Sequence, residues 1–252
     1  RFVEVQGRVF VALCAFMKAK TGHASGLYYV DSTTIKVCRN PRINQHQIFD
    51  NIAERGKSSM GWFFGFKLHI VINAQGELMA FCLTPGNTDD RKPVPKMFRK
   101  LQGLAAGDKG YISKKMAAEL AEMGINFITK TRRNMKKIKR SSFEKFFLAK
   151  RAIVEAVIGQ LKEICQIEHS RHRKPDNFLV NLLAALAAIF SFNQFDPFWS
   201  SQINCKIHCL GFDFVHSQIK QRVIEHPVSL TPGSHPVFLV TIMIMDDCGL
   251  EI

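Results

Sequence analysis

Two short apolar runs constrain the fold more than anything else in the chain, because each ends in an aspartate. Tyr28-Tyr29-Val30 leads into Asp31, and Leu104-Ala105-Ala106-Gly107 leads into Asp108. Both are predicted to be buried strands, too short and too rich in β-formers or small residues for helices. After the second run Ser113 caps a helix predicted over 114–123, Gly124 ends it, and Ile125–Thr129 forms another strand. Strand, helix and strand in this order imply a parallel crossover. The fold class is therefore α/β rather than all-β. An acid where a strand leaves the core is held rigidly and still meets solvent, although a single Asp in that place is most often a turn residue or a cap.

The remaining elements follow from local pattern. Residues 1–20 predict a helix whose packing partner lies upstream, and 21–26 a linker. Ser32 to Lys57 is polar and contains Pro41; it is too long for an ordinary connection, so it is expected to be functional or ordered by a partner. Gly61–Ile72 and Glu77–Thr84 form a β-hairpin through Asn73-Ala74-Gln75-Gly76, with aromatics on its faces. Asp89 and Asp90 precede Pro93 where helix caps sit, and are expected to be bystanders lying farther from Asp31 than Asp108 and Glu155 do. One long helix is expected from Phe143 to about Glu168. At about 100° per residue it carries Arg151, Glu155, Gly159 and Lys162 on one face. An acid between two bases on a helix is ordinarily only a weak salt bridge. Asp176 is expected to cap an apolar helix to about Phe192, too short to span a bilayer.

Charge selects the class of partner. Lys and Arg number 35 against 21 Asp and Glu, a net +14. From Lys130 to Lys174 there are 14 basic and 4 acidic residues, whereas from Pro197 onward there are 3 and 5. The basic field thus belongs to the body, as expected of a chain that binds nucleic acid, and membrane or small-molecule roles find no support. The seven cysteines are odd in number and the first four sit singly in apolar runs, which suggests reduced thiols in a cytoplasmic protein. Cys205, His208 and Cys209 lack a second ligand pair with zinc spacing.

Cutting a phosphodiester needs an activated oxygen nucleophile and a stabilised leaving oxygen, and two divalent ions about 4 Å apart supply both. Mg²⁺ takes hard oxygen ligands, so a few carboxylates on rigid elements suffice. Asp31, Asp108 and Glu155 are the candidate metal ligands and catalytic acids on that basis.

The runs Val30-Asp31-Ser32-Thr33, Gly107-Asp108-Lys109-Gly110-Tyr111 and Arg151, Glu155, Lys162 resemble the three acid motifs of DDE transposases of bacterial insertion sequences. With Ser59 to His69, Asn87 to Pro95 and Gln166 to Arg173 the likeness extends over about residues 1–195 and points to the insertion sequence 982 family. The resemblance implies an RNase H-like mixed sheet flanked by helices, with Asp31 on the first strand, Asp108 on the fourth and Glu155 on a following helix. It also implies Mg²⁺, with Mn²⁺ as substitute and two ions, for cutting transposon ends and joining them to target DNA, by a homo-oligomer in the bacterial cytoplasm. Arg151 and Lys162 carry over as contacts to the DNA backbone. Lys109, Arg132, Arg133, Lys136, Lys137, Arg171 and Arg173 are the further DNA-binding candidates from the basic field. Many related transposases have a Tyr three residues before that Arg; here Leu148 stands there. The expected organisation is a remnant of an amino-terminal helical region and linker (1–26), the RNase H-like domain (27–196) and an extension foreign to it (197–252). Two alternatives share these residues: an inactive remnant that only binds nucleic acid, and an RNase H-like nuclease without strand transfer.

Overall fold

The two aspartate-ended runs lie side by side at the centre of one sheet. The structure is a computed structural model and describes residues 2–136, 138–168 and 172–195; the Cys205, His208 and Cys209 group, the expected extension 197–252, Lys137 and Arg171 lie outside the described residues. Strand β1 (Leu27–Cys38) pairs antiparallel with β3 (Gly61–Asn73) on one side and parallel with β5 (Gly103–Gly107) on the other. β6 (Ile125–Thr129) extends the parallel half. The outer edge of β3 is shared by two strands end to end: β4 (Leu78–Pro85) pairs with Phe66 to Ile72, and the short β2 (Glu54–Ser58) pairs with Gly61 to Gly65.

Helices cover both faces, and strand alternation decides which side chain meets which layer. Tyr28, Val30 and Val71 pack with α3 (Val94–Phe98) and α4 (Lys114–Glu122). Tyr29, Ile35, Leu68, Ile70 and Ile72 face the other layer, made of α2 (Phe10–Ala19), α5 (Ser142–Ala149), α6 (Ala152–Glu163) and α7 (Pro175–Phe195). This is an RNase H-like fold, an antiparallel half built on β1 joined to a parallel half, with helices on both sides. Among the described residues no helix is long and apolar enough to cross a membrane.

The crossover follows the sequence closely. Ser113 Oγ accepts from the Met116 N–H at 3.3 Å to start α4, and Gly124 ends it at φ +81°. Elsewhere the structure corrects the expectations. The amino-terminal stretch is three pieces, α1 (Phe2–Val5), a 3₁₀ turn (Gln6–Val9) and α2, and α2 has its partner within the chain, since Met17 is buried in the α7 layer of the core. The polar stretch after Asp31 is largely sheet. Thr33 and Ile35 alternate inward and are buried, so β1 continues seven residues past Asp31 as a partner of β3. Asp31 is therefore within a strand, and because β2 adds to the count, Asp108 follows the fifth strand and not the fourth. Asp176 lies in the first turn of α7, behind Pro175, and is not its cap.

The long helix is two. α5 begins at a capping box in which Ser141 and Glu144 satisfy each other's backbone N–H. It ends where Phe147 stacks on Tyr29 of β1, ring centroids 4.6 Å apart, a contact worth about 1 kcal/mol beyond its burial. A tightened turn follows: Ile153 N–H reaches Lys150 O at 3.0 Å and Val154 N–H reaches Arg151 O at 3.1 Å, the three-residue spacing of a 3₁₀ helix. The chain then restarts as α6, which buries Val154, Val157 and Leu161. Each helix keeps its own apolar stripe on the sheet, and the turn between them re-aims Arg151.

Candidate active site

Register brings the two aspartates together. Tyr29 and Ala106 are the last paired residues of the parallel ladder between β1 and β5, and both face the α6 layer. Asp31 and Asp108 each stand two residues further on, so alternation returns both to that same face on strands about 4.8 Å apart. On its other side Asp31 stays paired with Ile70 of β3. β5 has ended, so the space beyond its last residue is open to side chains. Glu155 comes from the first turn of α6, four residues after Arg151.

One guanidinium organises the three acids. Arg151 Nη1 donates to Asp31 Oδ2 at 3.1 Å, Nη2 donates to Glu155 Oε1, and Nη2 lies 3.9 Å from Asp108 Oδ1. Because Asp108 and Glu155 approach the same nitrogen, their nearest oxygens are within about 7 Å of each other. Exposure grades across the cluster. The side chains of Arg151 and Asp31 are 15% and 21% exposed, those of Asp108 and Glu155 52% and 55%. Asp31 is thus the dry anchor, and the other two are reachable from solvent.

The electrostatics of Asp31 reflect that position. Burial pushes its carboxyl above the ordinary carboxylate range, and the charges of Asp108 and Glu155 push the same way. The Ser32 N–H, which donates to Oδ1 at 2.9 Å, and the Arg151 cation oppose them. The net direction is upward, with burial the largest cause, and by count three carboxylates share one guanidinium. Tyr111, three residues after Asp108, adds a buried phenol whose pKa is raised by burial and by the charges of Asp31 and Asp90.

The donor set fits a hard divalent cation. All three groups are carboxylates, the ligand type that suits Mg²⁺ or Mn²⁺, and they already converge on a cationic group. As arranged around the guanidinium, no three acidic, imidazole or thiol side chains among the described residues stand close enough to enclose an ion.

Asp89 and Asp90 are satisfied elsewhere. Asp89 Oδ1 accepts from Arg91 Nε at 2.8 Å and from the Arg91 N–H at 2.9 Å, and these bonds hold its carboxyl down to about 2. Asp90 pairs with Lys67 Nζ at 3.0 Å, and the same ammonium donates to Thr88 O at 2.7 Å. Of the nucleic-acid candidates, Lys109, Arg132, Arg133, Lys136 and Arg173 are exposed. Arg132 Nη2 donates to Lys109 O at 3.2 Å, tying the basic loop to the turn that follows Asp108. Lys162 is drawn off to Glu168 at 2.7 Å and makes no contact with the acids. Two features of the site escaped the sequence: the turn that aims Arg151 inward, and buried Tyr111. The i, i+4 spacing of Arg151 and Glu155 signalled their pairing, while the contact with Asp31 is tertiary and left no local trace.

The fold defines an RNase H-like domain, with one acid within its first strand, a second just past the end of the parallel strand beside it and a third on a following helix. Residues 21–175, more than half of the 252, match the family model described as a transposase DDE domain, and the chain belongs to that family. Domains of this family are polynucleotidyl transferases that generally use divalent metal ions. Among solved structures, the piggyBac transposase synaptic complex with hairpin DNA, determined by cryo-EM, is similar at 11% identity and a TM-score of 0.43, over 84% of this chain and 60% of that one. The chain accordingly spans about 60% of that protein's length. No curated protein matches the chain.

Proposed function

We propose that the chain is the catalytic domain of a bacterial insertion-sequence transposase of the insertion sequence 982 family, cutting the element's ends and joining them to target DNA. Asp31, Asp108 and Glu155 are the acids that do this, and the convergence of all three on Arg151 is the observation that carries the assignment. Two Mg²⁺ ions, or Mn²⁺ in their place, would be held by these carboxylates and would supply an activated nucleophile and a stabilised leaving oxygen. Within the chain, Asp31 fixes the floor of the site, since it is the least exposed of the three acids. Asp108 and Glu155 form its open side. Arg151 holds the acids together against their mutual repulsion, and a backbone phosphate entering the site offers the same guanidinium a second, bidentate anion. Lys109, Arg132, Arg133, Lys136 and Arg173 provide the exposed positive surface for the flanking strand, with Lys137 and Arg171 assigned from sequence and Lys162, in the last turn of α6, as a further contact to the DNA backbone once it leaves Glu168. The organisation proposed is a catalytic body at 27–196, with the helical segment and linker at 1–26 packed on it through α2 and an extension at 197–252, acting as a homo-oligomer on DNA in the cytoplasm.

The test is nicking of supercoiled plasmid with Mg²⁺ or Mn²⁺. Asp108→Asn should reduce it to background while leaving the circular-dichroism spectrum and the unfolding midpoint close to wild type. Unchanged nicking by that variant sinks the assignment. Cleavage without joining of a pre-cut end would leave the nuclease alternative.

A further inference from the structure

A cleft of about 500 Å³ opens beside the acids, and among its lining residues are Arg55, Lys57, Trp62, Asn87, Arg91 and Gly110. Its volume is in the range of sites that enclose a single small organic group. Gly110 belongs to the 3₁₀ turn directly after Asp108, so the cleft adjoins that turn, and the acids in its own lining are Asp89 and Asp90.

The register of β2 against β3 places three of these side chains on one face. Lys57 is paired with Trp62 and Arg55 with Phe64, and cross-strand partners point the same way. The indole is accordingly flanked by both cations, with Arg55 Cζ 5.4 Å and Lys57 Nζ 5.7 Å from its ring centroid. Neither cation has an ion-pair partner among the described residues, although Arg91 and Lys67 in the same cleft are neutralised by Asp89 and Asp90. Trp62 itself is 54% exposed, while its neighbours Phe63 and Phe64 are buried. The wall behind the indole is built for close approach: a Cβ on Gly56 would lie 2.0 Å from Gly86 O, so β2 and the loop after β4 meet backbone to backbone. Any side chain at Gly56 would force that loop away and spoil the cleft.

A half-exposed indole, two cations over it that have no carboxylate partner among the described residues, and a cleft beside the turn that follows Asp108 fit one ligand chemistry. We propose that Trp62 is a stacking platform for a single unpaired nucleobase of the DNA strand held in the site, with Arg55 and Lys57 on the phosphates either side of it. Stacking on an aromatic is tolerant of base identity, and cationic side chains that track the strand's backbone accompany it. This deepens the proposed function, since it rests on the acids being the cutting centre for what the base belongs to, but the platform is read out by binding alone.

The chain has two tryptophans, Trp62 and Trp199, which makes the experiment direct. Full-length protein carrying Asp108→Asn, in chelator so that no chemistry occurs, is titrated with an oligothymidylate and with the same oligonucleotide bearing abasic sites. The base-containing strand should quench tryptophan fluorescence and the abasic strand should not. In a Trp62→Phe background the quenching should vanish while affinity is largely kept, and Trp62→Ala should bind about tenfold more weakly. Fully paired duplex should bind wild type and Trp62→Ala equally. The inference is overturned if Trp62→Ala binds the thymidylate strand as wild type does, if abasic and base-containing strands bind alike, or if the quenching persists in Trp62→Phe. None of these results depends on nicking, so failure of the platform and failure of the acid assignment are seen separately.

Discussion

Two clusters of acids lie around this one sheet, Asp89 and Asp90 in the loop after β4 and Asp31, Asp108 and Glu155 where β1, β5 and α6 meet, and they are wired in opposite ways. Asp89 and Asp90 each have a cation of their own, Arg91 and Lys67, and Asp89 is held down to about 2 as a result. Asp31, Asp108 and Glu155 have one guanidinium among three, and the most buried of them is pushed up, first by its burial and then by the charges of the other two. A satisfied cluster fixes a loop; a cluster short of positive charge is one into which more can be added. The contrast is physical and separates the acids proposed as catalytic from Asp89 and Asp90 better than sequence position does.

The comparison breaks most visibly in activity. Glu155→Gln should remove metal-dependent plasmid nicking as Asp108→Asn does, whereas Asp89→Asn and Asp90→Asn should keep it readily measurable on the same gel; loss in all four alike would erase the distinction. Next in size is Arg151→Ala. Taking the cation from the largely buried pair with Asp31 should cost about 3 kcal/mol in urea unfolding in chelator. Added Mg²⁺ or Mn²⁺ should recover much of that loss, because cations binding only the folded state stabilise it.

A subtler difference is in the response to pH. The Asp31 carboxyl is raised, so its proton is held more tightly folded than unfolded. The resulting stability is full below the ordinary carboxylate pKa near 4 and is lost as pH rises through the raised folded value. In chelator at pH 7, Asp31→Asn should therefore melt higher than wild type, with the gap closing below about pH 4. For Asp89 the sign reverses: its contribution is present above the ordinary value and fades as pH falls towards about 2. Asp89→Asn is expected to have the smallest effect, at most about 1 kcal/mol at pH 7 and less in high salt, since that pair is some 40% exposed.

What could be read from sequence was whatever local chemistry dictates. The crossover from Leu104 to Thr129 has a cap, a terminating glycine and clean apolar runs, and it folds as those signals say. The segment after Asp31 looked like loop because Ser32, Thr33, Thr34 and Lys36 are polar, yet the threonines are β-branched and Thr33 and Ile35 alternate inward; the partner that makes it a strand, β3, is some thirty residues away. The turn at Lys150 and Arg151 had no proline or glycine to announce it. It exists because Phe147 and Val154 dock on different parts of the sheet, a tertiary demand that overrides an uninterrupted helical pattern. Trp62 was legible only as one more aromatic of a hairpin, since exposure is decided by which neighbours arrive.

The end of the parallel ladder at Tyr29 and Ala106 bears on how such a site can change over generations. Asp31 and Asp108 meet because each stands two residues past a paired position, and side-chain direction alternates with every residue. Insertion or loss of one residue in β5 would turn Asp108 to the opposite layer, among the side chains that pack on α4, and disarm the domain without unfolding it. A change of two residues would return the carboxylate to the correct layer. Drift in strand length here is therefore quantised, and single-codon insertions near Gly107 should be far more damaging to function than to stability.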